Sequence, residues 1–192
     1  SWKSRKAGVA LIDDFKLFEW RGREVVMGFD SDANEKPEVQ LALVALAREL
    51  IKLGALIFSI KLPHADGEKV GLDDFLVAHG VEALRALDQG EPVGGLSEAL
   101  WSMNDELAYI EEAESIYRLK TGKLLNRQQL VSVTYAHRNV TVFTDGAKPR
   151  ELNVAAEWLK WPHRRTHRRL TYSPGDGPVV ESESSLNLWT GW

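Results

Sequence analysis

Apolar and polar positions change rhythm sharply after Arg23. EVVMGF, 24–29, is a short valine-rich run of the length and composition of a buried strand. Pro37 and Glu38 then suit the first turn of a helix. Proline loses no hydrogen bond there, and a carboxylate meets the positive end of the helix dipole. Val39, Leu43, Leu46, Ala47, Leu50 and Ile51 recur at helical spacing, and Gly54 supplies the stop. ALIFSIKL, 55–62, reads as a second strand. Strand, helix and strand in this order make a βαβ unit, whose two strands run parallel with a right-handed crossover.

Outside this unit the signals are shorter. Ala7 to Phe18 offers one weak strand or helix, PHADGEKVG is a polar loop, and LDDFLVAHGVEALRAL carries two short helical stretches. QGEPVGGLSEAL, 89–100, is rich in glycine and turn residues and predicts a domain boundary, dividing the chain into 1–95 and 96–192. Beyond it, LAYIEE and SIYRLKTGKLL read as strands, with TGK as a hairpin turn. Asn126 caps a helix from Arg127 to His137. Glu151 to Trp161 predicts another helix, stopped by Pro162. RRLTYSP ends in a turn, and a last short strand lies near NLW. The expected fold is an α/β unit, a small parallel sheet with flanking helices, followed by a small α+β region.

Composition narrows the function classes. The chain is 44% apolar and 27% charged, enough to bury a core. It has no cysteine, which removes disulfides, thiolate zinc sites and a cysteine nucleophile. The longest apolar region, VQLALVALARELIKLGALIFSI, is interrupted by Arg48, Glu49 and Lys52, so no membrane association is expected. A net charge of −4 confines any nucleic-acid contact to a local patch. The opening SWKSRK and the closing NLWTGW read as cut ends of a longer polypeptide.

Three stretches carry candidate chemistry. In VVMGFDSDAN, Asp30 and Asp32 leave the first strand at its carboxyl end, the edge on which parallel α/β sheets bind ligands. Two carboxylates at i and i+2 repel unless a cation lies between them. Mg2+, or Mn2+, takes one or two such ligands and leaves positions for phosphate oxygens. The plainer alternative is a turn in which either aspartate caps the following helix. In KVGLDDFL, Asp73 and Asp74 precede a helix, so one is either an N-cap or a third acid of the same cluster. In KWPHRRTHRR, residues Lys160, Arg164, Arg165, Arg168 and Arg169 stand without an intervening acid, beside Trp158 and Trp161. Arginines for phosphates and an aromatic for bases suit a single-strand path. The alternative is a solvated connection whose arginines pair with surface acids. The five histidines show no metal-ligand spacing, and the absence of G-x-x-x-x-G-K-[ST] excludes a P-loop motor.

Taken together, GFDSDANEKPEV, the amphipathic helix, ALIFSIKLP and KVGLDDFL resemble the Toprim-like domain of phage and plasmid replicative primase–helicases over residues 20–80. There a strand ends in FDxD and a GxDDxL phrase follows. WLKWPHRR, YSPG and NLWTGW are similar to the region that leads those proteins into a superfamily-three helicase motor. The resemblance implies that Asp30 and Asp32 are catalytic and hold Mg2+ or Mn2+ for nucleotidyl transfer, with Asp73 or Asp74 as a further acid. It implies single-stranded DNA and nucleotides as partners, a motor in the same parent polypeptide, and the cytoplasm of a bacterial host. One departure stands out. Toprim sites also use a glutamate on an earlier strand, in a T-E-G phrase, and Glu19 and Glu24 lie in the wrong context to replace it. Two rivals remain. A haloacid-dehalogenase-like phosphatase shares the apolar strand into Asp-x-Asp, although Asn34 stands where that family has Thr or Val. A non-catalytic scaffold would merely hold DNA beside a motor.

Overall fold

A computed structural model describes residues 11–31, 36–63, 70–143, 149–176, 179–180 and 184–189. The first strand, β1 (Glu24–Phe29), and the second, β2 (Leu56–Lys61), pair in parallel, with Glu24 opposite Leu56 and Phe29 opposite Lys61. Between them α1 (Pro37–Lys52) has Pro37 in its first turn. It buries Leu43, Val44, Ala47, Leu50 and Ile51, the stripe expected from the helical spacing. Gly54, at φ 89°, turns the chain out of the helix, and its carbonyl accepts a hydrogen bond from the Gly22 amide at 2.9 Å. The βαβ unit therefore forms as its periodicity requires.

The next helix, α2 (Leu72–Arg85), is two helical pieces merged across Gly80, where φ is 77° and ψ 173°. A two-residue strand, β3 (Gln89–Gly90), then runs antiparallel to β2, giving a sheet of order β1-β2-β3. The turn-rich reading of 89–100 missed both this strand and the start of α3 (Leu96–Glu106). Val93, Leu96, Leu100 and Met103 are buried, so their spacing carried a helix that the preceding glycines masked. Buried Ser97 accepts the Ile57 amide proton at 3.1 Å.

Contacts divide the chain into two compact units, residues 1–98 with 140–152, and residues 99–139 with 153–192. The first unit thus takes in most of a hairpin the sequence did not announce, β7 (Asn139–Phe143) and β8 (Pro149–Asn153). Gly94, at φ 60°, sits so near this hairpin that a Cβ would collide with the Thr141 carbonyl oxygen.

In the second unit, β4 (Leu107–Ile110), β5 (Ser115–Arg118) and β6 (Lys123–Leu125) form an antiparallel meander, and β9 (Thr166–His167) adds in parallel to β4. Asn126 caps the following helix by a capping box. Its Oδ1 accepts the Gln129 amide at 2.8 Å, while Gln129 Oε1 accepts the Asn126 amide at 3.0 Å. After one turn (α4, Arg127–Gln129) this helix widens to π geometry over Leu130–Thr134 and stops short of the predicted end at His137. The helix expected from Glu151 begins at Val154 as α5 (Val154–Lys160). Asn153, accepting the Ala156 amide at 3.0 Å, fixes that start, and the residues before it are strand. A further sheet places β12 (Ser185–Asn187) between β10 (Arg169–Thr171) and β11 (Val179–Val180). The architecture is mixed α/β with several small sheets.

Candidate functional site

Asp30 follows the last residue of β1, and Ser31 decides what comes near it. The Ser31 amide donates to the Val70 carbonyl at 3.0 Å, and the Val70 amide donates to Ser31 Oγ at 2.9 Å. Ser31 is 2% exposed. This reciprocal pair ties the end of β1 to the residues just before α2. At Gly28, within the strand, a Cβ would crowd Ile60 Cδ1 at 3.3 Å and touch the Leu72 methyls at 3.4 Å. The first turn of α2 thus lies against β1 beside Gly28.

The consequence is a convergence of acids. A point one bond from the Gly71 Cα, where a Cβ would stand, lies 2.7 Å from Asp73 Oδ1, 3.2 Å from Asp74 Oδ2 and 3.8 Å from Asp30 Oδ1. Gly71 is itself the N-cap of α2, so neither aspartate plays that part. Both lie in the first turn, where the positive dipole end favours them. Asp73 and Asp74 are exposed and Asp30 is half-buried. Asp32, the partner expected for Asp30, lies outside the described residues. Among the described residues no group of three or more histidine, aspartate or glutamate side chains forms a ready-made metal site. Three carboxylates around an empty Cβ position are nevertheless a hard-oxygen donor set, and a small divalent ion that keeps part of its water shell needs only one or two of them.

The basic segment is held more firmly than a solvated connection. Asn104 on α3 organises it: its Oδ1 accepts from Trp158 Nε1 at 2.8 Å and from the Arg165 amide at 2.6 Å, while its Nδ2 donates to the His163 carbonyl at 3.0 Å. Trp161, expected as a platform for bases, is 4% exposed and packs edge-on against Trp101 at 5.0 Å between ring centres. It is core, because an indole between two packed elements buries more apolar area than it could cover on a strand of nucleic acid. Trp158 is likewise fully buried. Arg164 lies over the Tyr109 ring, 4.9 Å from its centre, and donates to the Leu159 carbonyl at 2.8 Å. Arg165 Nε donates to His167 Nε2 at 3.2 Å. Burial, and then the Arg165 charge, lower the His167 pKa and favour the neutral ring that accepts this bond. Lys160 pairs with Glu157 at 3.1 Å and Arg168 with Glu112 at 3.0 Å, both near the surface, and Arg169 is exposed. The cations of this segment that face solvent are therefore Lys160, Arg168 and Arg169.

Ser31, Gly71 and Asn104 escaped the sequence reading. Each acts through tertiary contacts, and no local spacing marks a serine, a glycine or an asparagine for that work.

A family model described as Domain of unknown function (DUF3854) matches residues 1–83, a stretch that contains β1, α1, β2 and the start of α2. Asp30, Asp73 and Asp74 all fall inside it. No curated protein and no solved structure matches the chain.

Proposed function

We propose that residues 20–80 form a Toprim-like nucleotidyl-transfer site of a phage- or plasmid-type primase–helicase, and that Asp30, Asp73 and Asp74 hold its Mg2+ or Mn2+ together with Asp32. The observation that carries this reading is the meeting of three carboxylate oxygens, one from the residue after β1 and two from the first turn of α2, within 3.8 Å of one point at the carboxyl edge of the parallel strands. FDxD and GLDDFL lie far apart in sequence, and Asp30 of the first comes near Asp73 and Asp74 of the second beside Gly71. The donors are of the kind the ion takes, all oxygen and all anionic. A bound divalent ion there supplies charge neutralisation for phosphate oxygens. The chain's own part is to present the oxygens. Ser31 fixes the spacing between the two acidic phrases, and the dipole of α2 offsets part of the repulsion between Asp73 and Asp74.

In the same reading, Lys160, Arg168 and Arg169 contact single-stranded DNA. Exposed ion pairs such as Lys160–Glu157 and Arg168–Glu112 contribute little to stability, so a phosphate can displace the acid at small cost. The test is thermal stability against Mg2+ or Mn2+, since a ligand that binds only the folded chain raises Tm. A rise that disappears in Asp30→Asn plus Asp73→Asn supports the site. No rise in the unmodified chain refutes it and leaves the scaffold reading. Trapping with beryllium fluoride would instead point to the phosphatase.

A further inference from the structure

DDFKLFEW, residues 13–20, makes a short 3-10 turn over Asp13–Leu17, and no residue of that turn is buried. Its aromatic side chains nevertheless hold one another in place. The Trp20 ring stacks on Phe15 at 5.6 Å between centres and tilts against Phe18 at 5.5 Å, while Trp20 Nε1 donates to the Phe15 carbonyl at 2.6 Å. Leu17 is left 81% exposed and Phe18 52% exposed. Single apolar residues on a surface are ordinary, but adjacent ones propped on a fixed aromatic base mark a contact surface. The stretch is also acidic. Asp13, Asp14 and Glu19 are exposed against one cation, Lys16, which pairs with Asp13 at 2.7 Å.

The second unit carries a stretch of the opposite kind. The pairing of β10 with β12 extends past both strand ends: the Arg168 amide donates to the Ser184 carbonyl, and the Leu188 amide to the Thr171 carbonyl, each at 2.8 Å. On this short ladder Arg168 and Arg169 are exposed, and so are Tyr172 and Leu188, at 68% and 38%. The Arg168–Glu112 pair is exposed as well, so an incoming acid can replace Glu112 at small cost.

We propose that the acidic aromatic stretch 13–20 of one copy of this chain docks on the basic stretch 168–172 of a second copy. Charge complementarity selects this occupant. A strand of nucleic acid could stack on the rings, but the three acids repel its phosphates, and they repel an anionic lipid surface likewise. A second stretch of the same kind would set acid against acid. The basic stretch supplies opposite charge together with apolar side chains for Leu17 and Phe18 to cover. The two stretches differ and lie in different units, so the contact is head-to-tail and not two-fold. So few side chains cover less than the roughly 800 Å2 per partner of a standard interface, which makes the association weak and dependent on concentration. Salt that screens the charges weakens it further.

Sedimentation velocity over a concentration series is the test. The mean sedimentation coefficient of the parent chain should rise with concentration, and rise less in high salt. Leu17→Ser with Phe18→Ser, and separately Arg168→Ala with Arg169→Ala, should each weaken association about tenfold or more. Thermal melts check that the variants fold, and the single changes Leu17→Ser and Arg169→Ala, both at exposed positions, serve where a double variant does not. Mixing decides the geometry. The two double variants, each monomeric alone, keep one intact stretch of opposite kind, so their mixture should form pairs that stop at two chains. A parent chain that is monomeric at every concentration overturns the docking. Association that survives the loss of both arginines, or a mixture that stays monomeric, overturns the head-to-tail contact.

Discussion

Replacing Gly71 by alanine asks directly whether the three acids serve one ion. Gly71 has φ −78° and ψ 157°, an extended conformation any residue adopts, so the backbone is unstrained by the change. The added methyl would stand 2.7 Å from Asp73 Oδ1 and 3.2 Å from Asp74 Oδ2, and those carboxylates must swing away. Without metal the effect on stability is small. Alanine caps a helix worse than glycine by about 0.5–1 kcal/mol, and the stiffer unfolded chain returns about as much. With metal the change is larger. A charge-assisted contact contributes about 1.5–3 kcal/mol, so displacing one carboxylate weakens binding about tenfold. At an ion concentration about a hundred times Kd, the parent chain gains about 2.7 kcal/mol, and the variant about 1.4 kcal/mol. For a chain of this size the metal-induced rise in Tm falls from about 5–10 °C to about 3–5 °C. Differential scanning fluorimetry at graded Mn2+, with and without chelator, reads both numbers. If folded Gly71→Ala shows the same metal-induced rise as the parent, the oxygens around Gly71 do not share an ion, and the metal site as drawn is wrong.

Further predictions concern the second unit. Asn104→Ala removes three hydrogen bonds and strands the buried Trp158 indole N–H, costing about 2–4 kcal/mol in urea unfolding; a loss under about 0.5 kcal/mol would contradict its role as organiser of the basic segment. Trp161→Ala costs about 3–5 kcal/mol as a core truncation, and a variant of undiminished stability with weakened single-strand binding would restore the indole as a platform for bases. Replacing Arg168 and Arg169 by alanine should flatten the salt dependence of single-strand binding by about two counterions' worth, measured as log Kd against log salt; an unchanged slope removes both from the path. The Glu106–Tyr135–Arg138 cluster predicts a pH profile. Burial pushes the Glu106 carboxyl up, but hydrogen bonds from Tyr135 at 2.7 Å and Arg138 at 2.6 Å, with the nearby arginine charges, outweigh it and hold the pKa below its ordinary value. Its contribution is thus present above the normal carboxylate range and lost as pH falls through the lowered pKa. His167, also lowered, contributes above about pH 6.5 and loses that contribution at more acid pH. Tyr135 is pushed up to about 12 by burial and by its bond to Glu106, so its contribution holds below the ordinary value of 10.0 and is lost as pH rises toward 12. Tyr135→Phe should abolish that alkaline limb, and an unaltered limb would assign it elsewhere.

Elements that follow from local physics are legible in the amino-acid sequence alone. The helical repeat of Val39 to Ile51, the valine-rich β1 and the stop at Gly54 left one arrangement open to residues 24–61, because a strand, helix and strand of those lengths close in one hand only. The Asn126 cap and the Pro162 stop could be read for the same reason: each depends on its immediate neighbours. Elements whose reason for existing lies elsewhere in the chain could not. The start of α3 follows a run of glycines and is held by Val93, Leu96 and Leu100 in the core, and β3 is a strand only because β2 offers it an edge. The site divides the same way. That Asp30 leaves a strand at its ligand-binding edge is a statement about sequence. That Asp73 and Asp74 come near it depends on Ser31 gripping Val70 across 39 residues and on Gly71 having no side chain between the carboxylates. Trp161 makes the converse point. Its neighbours in sequence suit a nucleic-acid surface, and tertiary packing turned it inward, because burying so large an apolar ring stabilises the fold more than displaying it does.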